Sequence, residues 1–189
     1  MRDDLISYLI TDPKYYTNDI EIFEKKLIKN LKSKKVNIAC FRDKTSKNFK
    51  KLAKIFVKIC KEYNVEKILI NENYKLAKKL DATGVHLTSK QFDKIQKARD
   101  LDLYVIISCH NYKDIEIAQE SHVNAITYSP IFHSPDKGEP KGMAKLRECI
   151  RVYEDLDIIA LGGIINKEHI EQISRTRACG FASIRYFVT

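Results

Sequence analysis

Residues 103–132 read LYVIISCHNYKDIEIAQESHVNAITYSPIF. An apolar run rich in Ile and Val (103–109) gives way to an amphipathic stretch, then to a second apolar run (124–132). Such runs are too short for buried helices and are enriched in β-branched and aromatic residues, so each reads as a strand with a helix between. Strand, helix, strand implies parallel pairing with helices covering the sheet. The same unit recurs outward in both directions: LISYLIT (5–11), VNIACF (36–41), KILIN (67–71) and GVHLT (84–88) lie before it, DIIALGG (157–163) and GFASIRYF (180–187) after it. Helical stripes fall between the runs, Ile22, Phe23, Leu27, Ile28 and Leu31 in one and Leu52, Ala53, Phe56, Val57 and Cys60 in another. Ser46, Ser89 and Asn166 stand where helix N-caps belong.

Eight strands is the number that closes a barrel. The expected fold is α/β, a single compact (β/α)8 TIM barrel over residues 1–189, at the lower size limit for that architecture. A doubly wound open sheet is the competing arrangement. The last run ends at Phe187 and the chain at Thr189, which leaves no room for a last outer helix. Something else must cover the outer face of the last and first strands, and a second copy of the chain, a homodimer, is the candidate.

Composition narrows the function. A chain of 189 residues suits one core, and 44% hydrophobic residues with 6 Gly and 4 Pro exclude disordered and fibrous classes. No apolar run approaches the roughly 18–20 residues of a membrane helix. MRDDLISYLITD carries acids where a secretory signal carries basic residues, so the reading is cytoplasmic, with no membrane partner. Five Cys without CxxC spacing argue against a disulfide framework or a zinc finger. The net charge of +9 comes mostly from Lys spread over several helices, which describes solvated faces better than a stripe reading nucleic acid. That positive field still favours phosphorylated small molecules.

In a parallel barrel ligands bind beyond the C-terminal strand ends. The polar residues there are Arg42, Asp43 and Lys44; Asn71, Glu72 and Asn73; Thr88 to Gln91; Ser108, Cys109 and His110; His133, Ser134, Asp136 and Lys137; then Gly162 and Gly163. Arg42 and Lys44 offer fixed charge to an anionic leaving group. Gly162–Gly163 lets backbone approach a phosphate and aim N–H groups at it. The loop SPDKGEPKG (134–142) reads as a lid carrying Lys137 and Lys141. His86, alternating with Val85 and Leu87, reads as an interior or packing histidine. His122 and His169 read as surface residues, and Cys60 and Cys149 as small hydrophobes.

The succession YLITD, CFRDK, ILINEN, LAKKLDATGVHL, ISCH, YSPIF, ALGGI and GFASI resembles the thiamine phosphate synthase and TenI-like family, in order from Tyr8 to Ile184. The resemblance implies a (β/α)8 barrel that joins hydroxymethylpyrimidine diphosphate to thiazole phosphate with release of pyrophosphate, magnesium sitting on the diphosphate. The family's Gln-x-Arg-x-Lys falls on Cys40, Arg42 and Lys44, so both cations are kept and a thiol replaces the Gln. Its Asn-Asp pair falls on Asn71 and Glu72, and its second magnesium-binding Asp on Gln91, which makes Glu72 and Gln91 the expected Mg2+ positions and a weakened site. Ser108 and His110 match a Ser-x-His, Ser134, Asp136 and Lys137 the thiazole-phosphate loop, and Gly162 and Gly163 the phosphate-binding glycines. Arg185 stands where the family has a small residue near the phosphate, to clamp it or to fill its pocket. The TenI branch implies a different activity, thiazole tautomerisation without metal. Its catalytic His falls on Pro130, leaving His110 and His133 as substitutes. A non-catalytic binder of thiazole or thiamine phosphate is the third reading.

Overall fold

The structure is a computed structural model that describes residues 5–135 and 137–188. Eight parallel strands pair in chain order: β1 (Ile6–Ile10), β2 (Ile38–Phe41), β3 (Lys67–Asn71), β4 (Gly84–Leu87), β5 (Tyr104–Cys109), β6 (Ala125–Tyr128), β7 (Ile158–Leu161) and β8 (Gly180–Ser183). β8 returns to β1, with Tyr8 opposite Ala182 on one side and Ile38 on the other. Closure pairs every strand on both sides and rules out the open sheet.

The helices alternate with the strands on the outside: α1 (Pro13–Tyr16), α2 (Ile20–Ser33), α3 (Phe49–Glu62), α4 (Tyr74–Lys79), α5 (Ile95–Arg99), α6 (Tyr112–Glu120), α7 (Gly142–Val152) and α8 (Lys167–Ser174). Asn166 caps α8, its side chain accepting from the His169 N–H. Ser46 and Ser89 cap nothing. Asn48 takes the N-cap position of α3, and Ser46 is drawn into a turn around Asp43. Ser89 precedes only a 3-10 turn, Phe92–Lys94.

Side chains alternate across a strand, so successive residues feed two cores. Leu9, Phe41, Ile70 and Leu87 face the helices, and Phe41 packs against the rings of Phe23, Phe49 and Phe56. Tyr8, Ile10, Cys40, Leu69 and Ile106 fill the barrel interior. Phe23 and Leu27 of α2 are buried, whereas Ile22 falls outside their arc and is 45% exposed. The five cysteines are buried thiols, none of them in a disulfide. No described helix is long and apolar enough to cross a membrane.

After β8 the chain makes a 3-10 turn, Arg185–Phe187, and no α-helix follows among the described residues. Phe187 is fully buried, its ring parallel to that of Phe181 at 6.0 Å, with Tyr186 edge-on to both. Lys34, which ends α2, donates to the Tyr186 carbonyl and places its ammonium 4.7 Å from the Tyr186 ring centroid. An aromatic plug from the same chain thus covers part of the face for which a second copy is the sequence-level candidate.

Candidate active site

The C-terminal strand ends open onto a cavity of about 490 Å³ that receives residues from all eight strand–helix loops or strand ends. Arg42, Lys44, Asn71, Glu72, Ser108, His110, Ser134, Lys137, Gly162, Gly163 and Arg185 all line it. Cys40, Gln91 and His133 do not. Asp136 lies outside the described residues.

The β1–β3 side is held by carboxylates. Asp12 caps α1, accepting from the Lys14 N–H, and its other oxygen pairs with the Arg42 guanidinium. Thr11, buried beside it, donates to the Arg42 carbonyl and accepts from the Arg42 N–H, fixing that backbone. Asp43 accepts from the N–H groups of Thr45 and Ser46, both at 2.9 Å, which shapes the turn that presents Lys44. Lys44 pairs with Glu72 at 3.1 Å, and the Asn71 amide donates to the same Glu72 oxygen. Glu72 adopts φ +65°, a left-handed conformation uncommon for its type, and its N–H is tied to the His86 carbonyl.

Gln91 faces away from the cavity. Its carbonyl oxygen accepts from Thr88 and its amide donates to the Glu72 carbonyl, so it braces the Glu72 backbone. Among the described residues no group of three or more His, Cys, Asp or Glu side chains converges as a metal site.

At the cavity floor a polar cluster runs from the lining residues His86 and Ser108 to Tyr8 and Thr127 inside the barrel. The Tyr8 hydroxyl shares a hydrogen bond with His86 Nδ1 at 2.7 Å, and His86 Nε2 lies 3.0 Å from Ser108 Oγ, with Thr127 Oγ1 at 3.4 Å. Burial, and then the Arg42 charge, pulls the His86 imidazole down to about 4, so it is neutral near pH 7. Cys40 is fully buried in the same interior, and burial pushes its thiol up to about 12. A protonated thiol below the floor is neither a nucleophile nor a surface for a ring to touch.

His110 Nδ1 lies 3.2 Å from both the carbonyl and the hydroxyl of Ser129, and the His110 backbone N–H donates to Asp114. His133 is exposed on the loop after β6. That loop is closed at its base by bonds from Lys141 N–H to the Pro130 carbonyl and from Gly142 N–H to the Ile131 carbonyl. His169, expected on the surface, is instead half-buried against this loop. Lys14 and Tyr15 also line the cavity, though the sequence reading passes over them. Asp12 and Lys14 stand just beyond the first apolar run, as the other rim residues stand beyond theirs.

The sequence profile of a family described as thiamine monophosphate synthase matches residues 7–187. The chain is 31% identical over 185 residues to "Putative thiamine-phosphate synthase 2" of Aquifex aeolicus, covering 96% of each. It is 35% identical over 141 residues to the thiamine-phosphate synthase of Pelagibacter ubique, which spans 71% of this chain and 67% of that one. A solved thiamine phosphate pyrophosphorylase from Pyrococcus furiosus matches in fold with a TM-score of 0.80, over 95% of this chain and 85% of the other at 20% identity. The chain belongs to the thiamine monophosphate synthase family.

Proposed function

We propose that this chain transfers a pyrimidinylmethyl group from its diphosphate ester to the ring nitrogen of a thiazole phosphate. The observation that carries this reading is a single cavity with two cationic margins, Lys14, Arg42 and Lys44 on the β1–β2 side and Lys137 and Arg185 on the β6 and β8 side. Two anionic groups are thereby held at once, which a transfer between two phosphorylated partners requires.

In this reading the C–O bond of the diphosphate ester breaks with its electron pair leaving on pyrophosphate. The thiazole nitrogen supplies its lone pair to the same carbon and closes the C–N bond. Arg42 and Lys44 stabilise the charge that develops on the departing oxygens. Ser108, within reach of neutral His86, presents its hydroxyl to the same group. Lys137, Gly162 and Gly163 hold the thiazole phosphate, with Arg185 beside it. Lys44 is more than half exposed, so exchanging Glu72 for a phosphate oxygen costs little.

Magnesium is implied by the family resemblance, and the donors of this chain do not fit it well. Octahedral magnesium prefers hard, charged oxygens. Here Glu72 already neutralises Lys44, Asp12 is taken by Arg42, and Gln91 offers an uncharged amide turned toward Thr88 and the backbone. No step is routed through the metal, and the side chains that meet the pyrophosphate charge are the cations named above. A tautomerase would have to use His110, which lines the cavity, because the His133 imidazole stands off it. The test is turnover of the two substrates together, with Arg42→Ala and Lys44→Ala as slow variants. A binder without chemistry would instead be stabilised by thiazole phosphate and release no pyrophosphate.

A further inference from the structure

Gly162 and Gly163 close β7 with φ of +99° and +71°. The Gly162 carbonyl accepts from the Phe132 N–H at 3.0 Å, and the Gly163 carbonyl lies 3.1 Å from His169 Nδ1. A carbonyl only accepts, so Nδ1 carries the hydrogen. Neither Phe132 nor His169 lines the cavity, so both carbonyls are tied on the side away from it. In a trans peptide the N–H points opposite to the C=O. The N–H groups of Gly163 and Ile164 are therefore turned toward the cavity that both residues line.

Phe132 serves both carbonyls. Its backbone holds Gly162, and its ring lies flat on the His169 imidazole, with centroids 4.0 Å apart and planes 6° from parallel. The stack fixes the plane in which Nδ1 meets Gly163. Without that bond the Gly163 carbonyl loses the partner that holds it, and the peptide after Gly163 can turn about ψ of Gly163, the residue with the widest backbone freedom, and φ of Ile164. A flipped peptide would present carbonyl oxygen, not N–H, to an anion.

We propose that His169, steadied by Phe132, is a positioning residue that keeps the Gly163–Ile164 N–H turned to the cavity and so sets the affinity of the β7 loop for a phosphate group. The inference rests on the reading above that this loop takes the thiazole phosphate. His169 touches neither substrate in this role and acts through the Gly163 peptide.

Two substitutions separate the hydrogen bond from the stack. His169→Asn keeps an N–H donor near the place of Nδ1 and loses the ring, whereas His169→Phe keeps the stack and loses the donor. Each full-length protein is titrated with inorganic phosphate while the amide resonances of Gly163 and Ile164 are followed, and KM and kcat for thiazole phosphate are measured alongside. Loss of the donor is expected to weaken phosphate roughly tenfold in His169→Phe and to raise KM by a similar factor with kcat held, the size of one hydrogen bond. His169→Asn stays within about threefold of the parent because the bond is retained. Equal phosphate affinity in His169→Phe and the parent, or equal weakening in both variants, overturns the role of His169 alone. If phosphate leaves the two amide resonances of the parent protein unmoved, the phosphate reading of the loop falls, and this inference with it.

Discussion

Glu72 and Lys44 bridge the loops after β3 and β2, carboxylate to ammonium at 3.1 Å, and the Asn71 amide holds the same carboxylate oxygen. The pair reserves a cation at the rim and fills the coordination that Glu72 would otherwise offer.

Removing that counter-charge frees Lys44 for an anion. Glu72→Gln is expected to tighten pyrophosphate by about two- to fivefold, the range of a partly exposed ion pair. Lys44→Ala is expected to weaken it. Calorimetric titration with pyrophosphate in metal-free buffer reads both. Weaker binding by Glu72→Gln would mean that the carboxylate itself serves the ligand.

His86 gives the fold a pH dependence with a definite sign. Above about pH 6.5 the imidazole is neutral in both folded and unfolded chains and contributes no slope. Below that the unfolded chain takes up a proton that the buried ring refuses until about 4, so stability falls as pH drops through this window. The full loss attributable to this ring is roughly 3 kcal/mol. Urea unfolding at pH 7 and pH 4.5 should show a smaller difference between the two pH values for His86→Gln than for the parent. Equal differences would mean that the ring titrates normally.

Gly163 and Gly138 share a left-handed φ, +71° and +69°, but not their surroundings. A Cβ on Gly163 would clash with the His133 carbonyl oxygen and meet that of Phe132 at 2.6 Å, while one on Gly138 meets nothing within 4 Å. Gly138→Ala therefore carries only the backbone cost of about 1 kcal/mol, and Gly163→Ala should lose more than about 2 kcal/mol. Thermal unfolding compares them. Equal melting temperatures would show that the β6 and β7 loops are not packed as described.

Much of this arrangement is legible in the sequence for a physical reason. Barrel strands are covered on both faces, so they stand out as continuous apolar runs, and the residue types just beyond each run report the rim. Arg42, Lys44, Ser108 and Gly163 follow from that rule, and Asp12 and Lys14 would follow from applying it to the first run. Cys40 does not follow, because pattern alone cannot say how far below the rim an inward side chain lies or whether Tyr8 stands beside it. His169 is hidden for another reason. Helical spacing places it on α8, but its partners Phe132 and Gly163 come from two other loops. Ser46 resembles a cap, yet the nearby Asp43 carboxylate shapes the turn instead.

The plug after β8 carries its own expectation. Phe187 is fully buried against Phe181, so Phe187→Ala should cost about 3–5 kcal/mol, the usual range for a truncated core aromatic. Chemical denaturation measures it. A loss below about 1 kcal/mol would mean that the outer face of β8 is covered by something other than this ring.

The central claim, transfer between two phosphorylated partners in one cavity, is tested most directly by pyrophosphate release. Hydroxymethylpyrimidine diphosphate and thiazole phosphate are mixed with the purified chain, and pyrophosphate is counted against the coupled product. The account predicts one pyrophosphate per product, formed only when both substrates are present and strongly slowed by Arg42→Ala. No release, or release that ignores the thiazole phosphate, would contradict it.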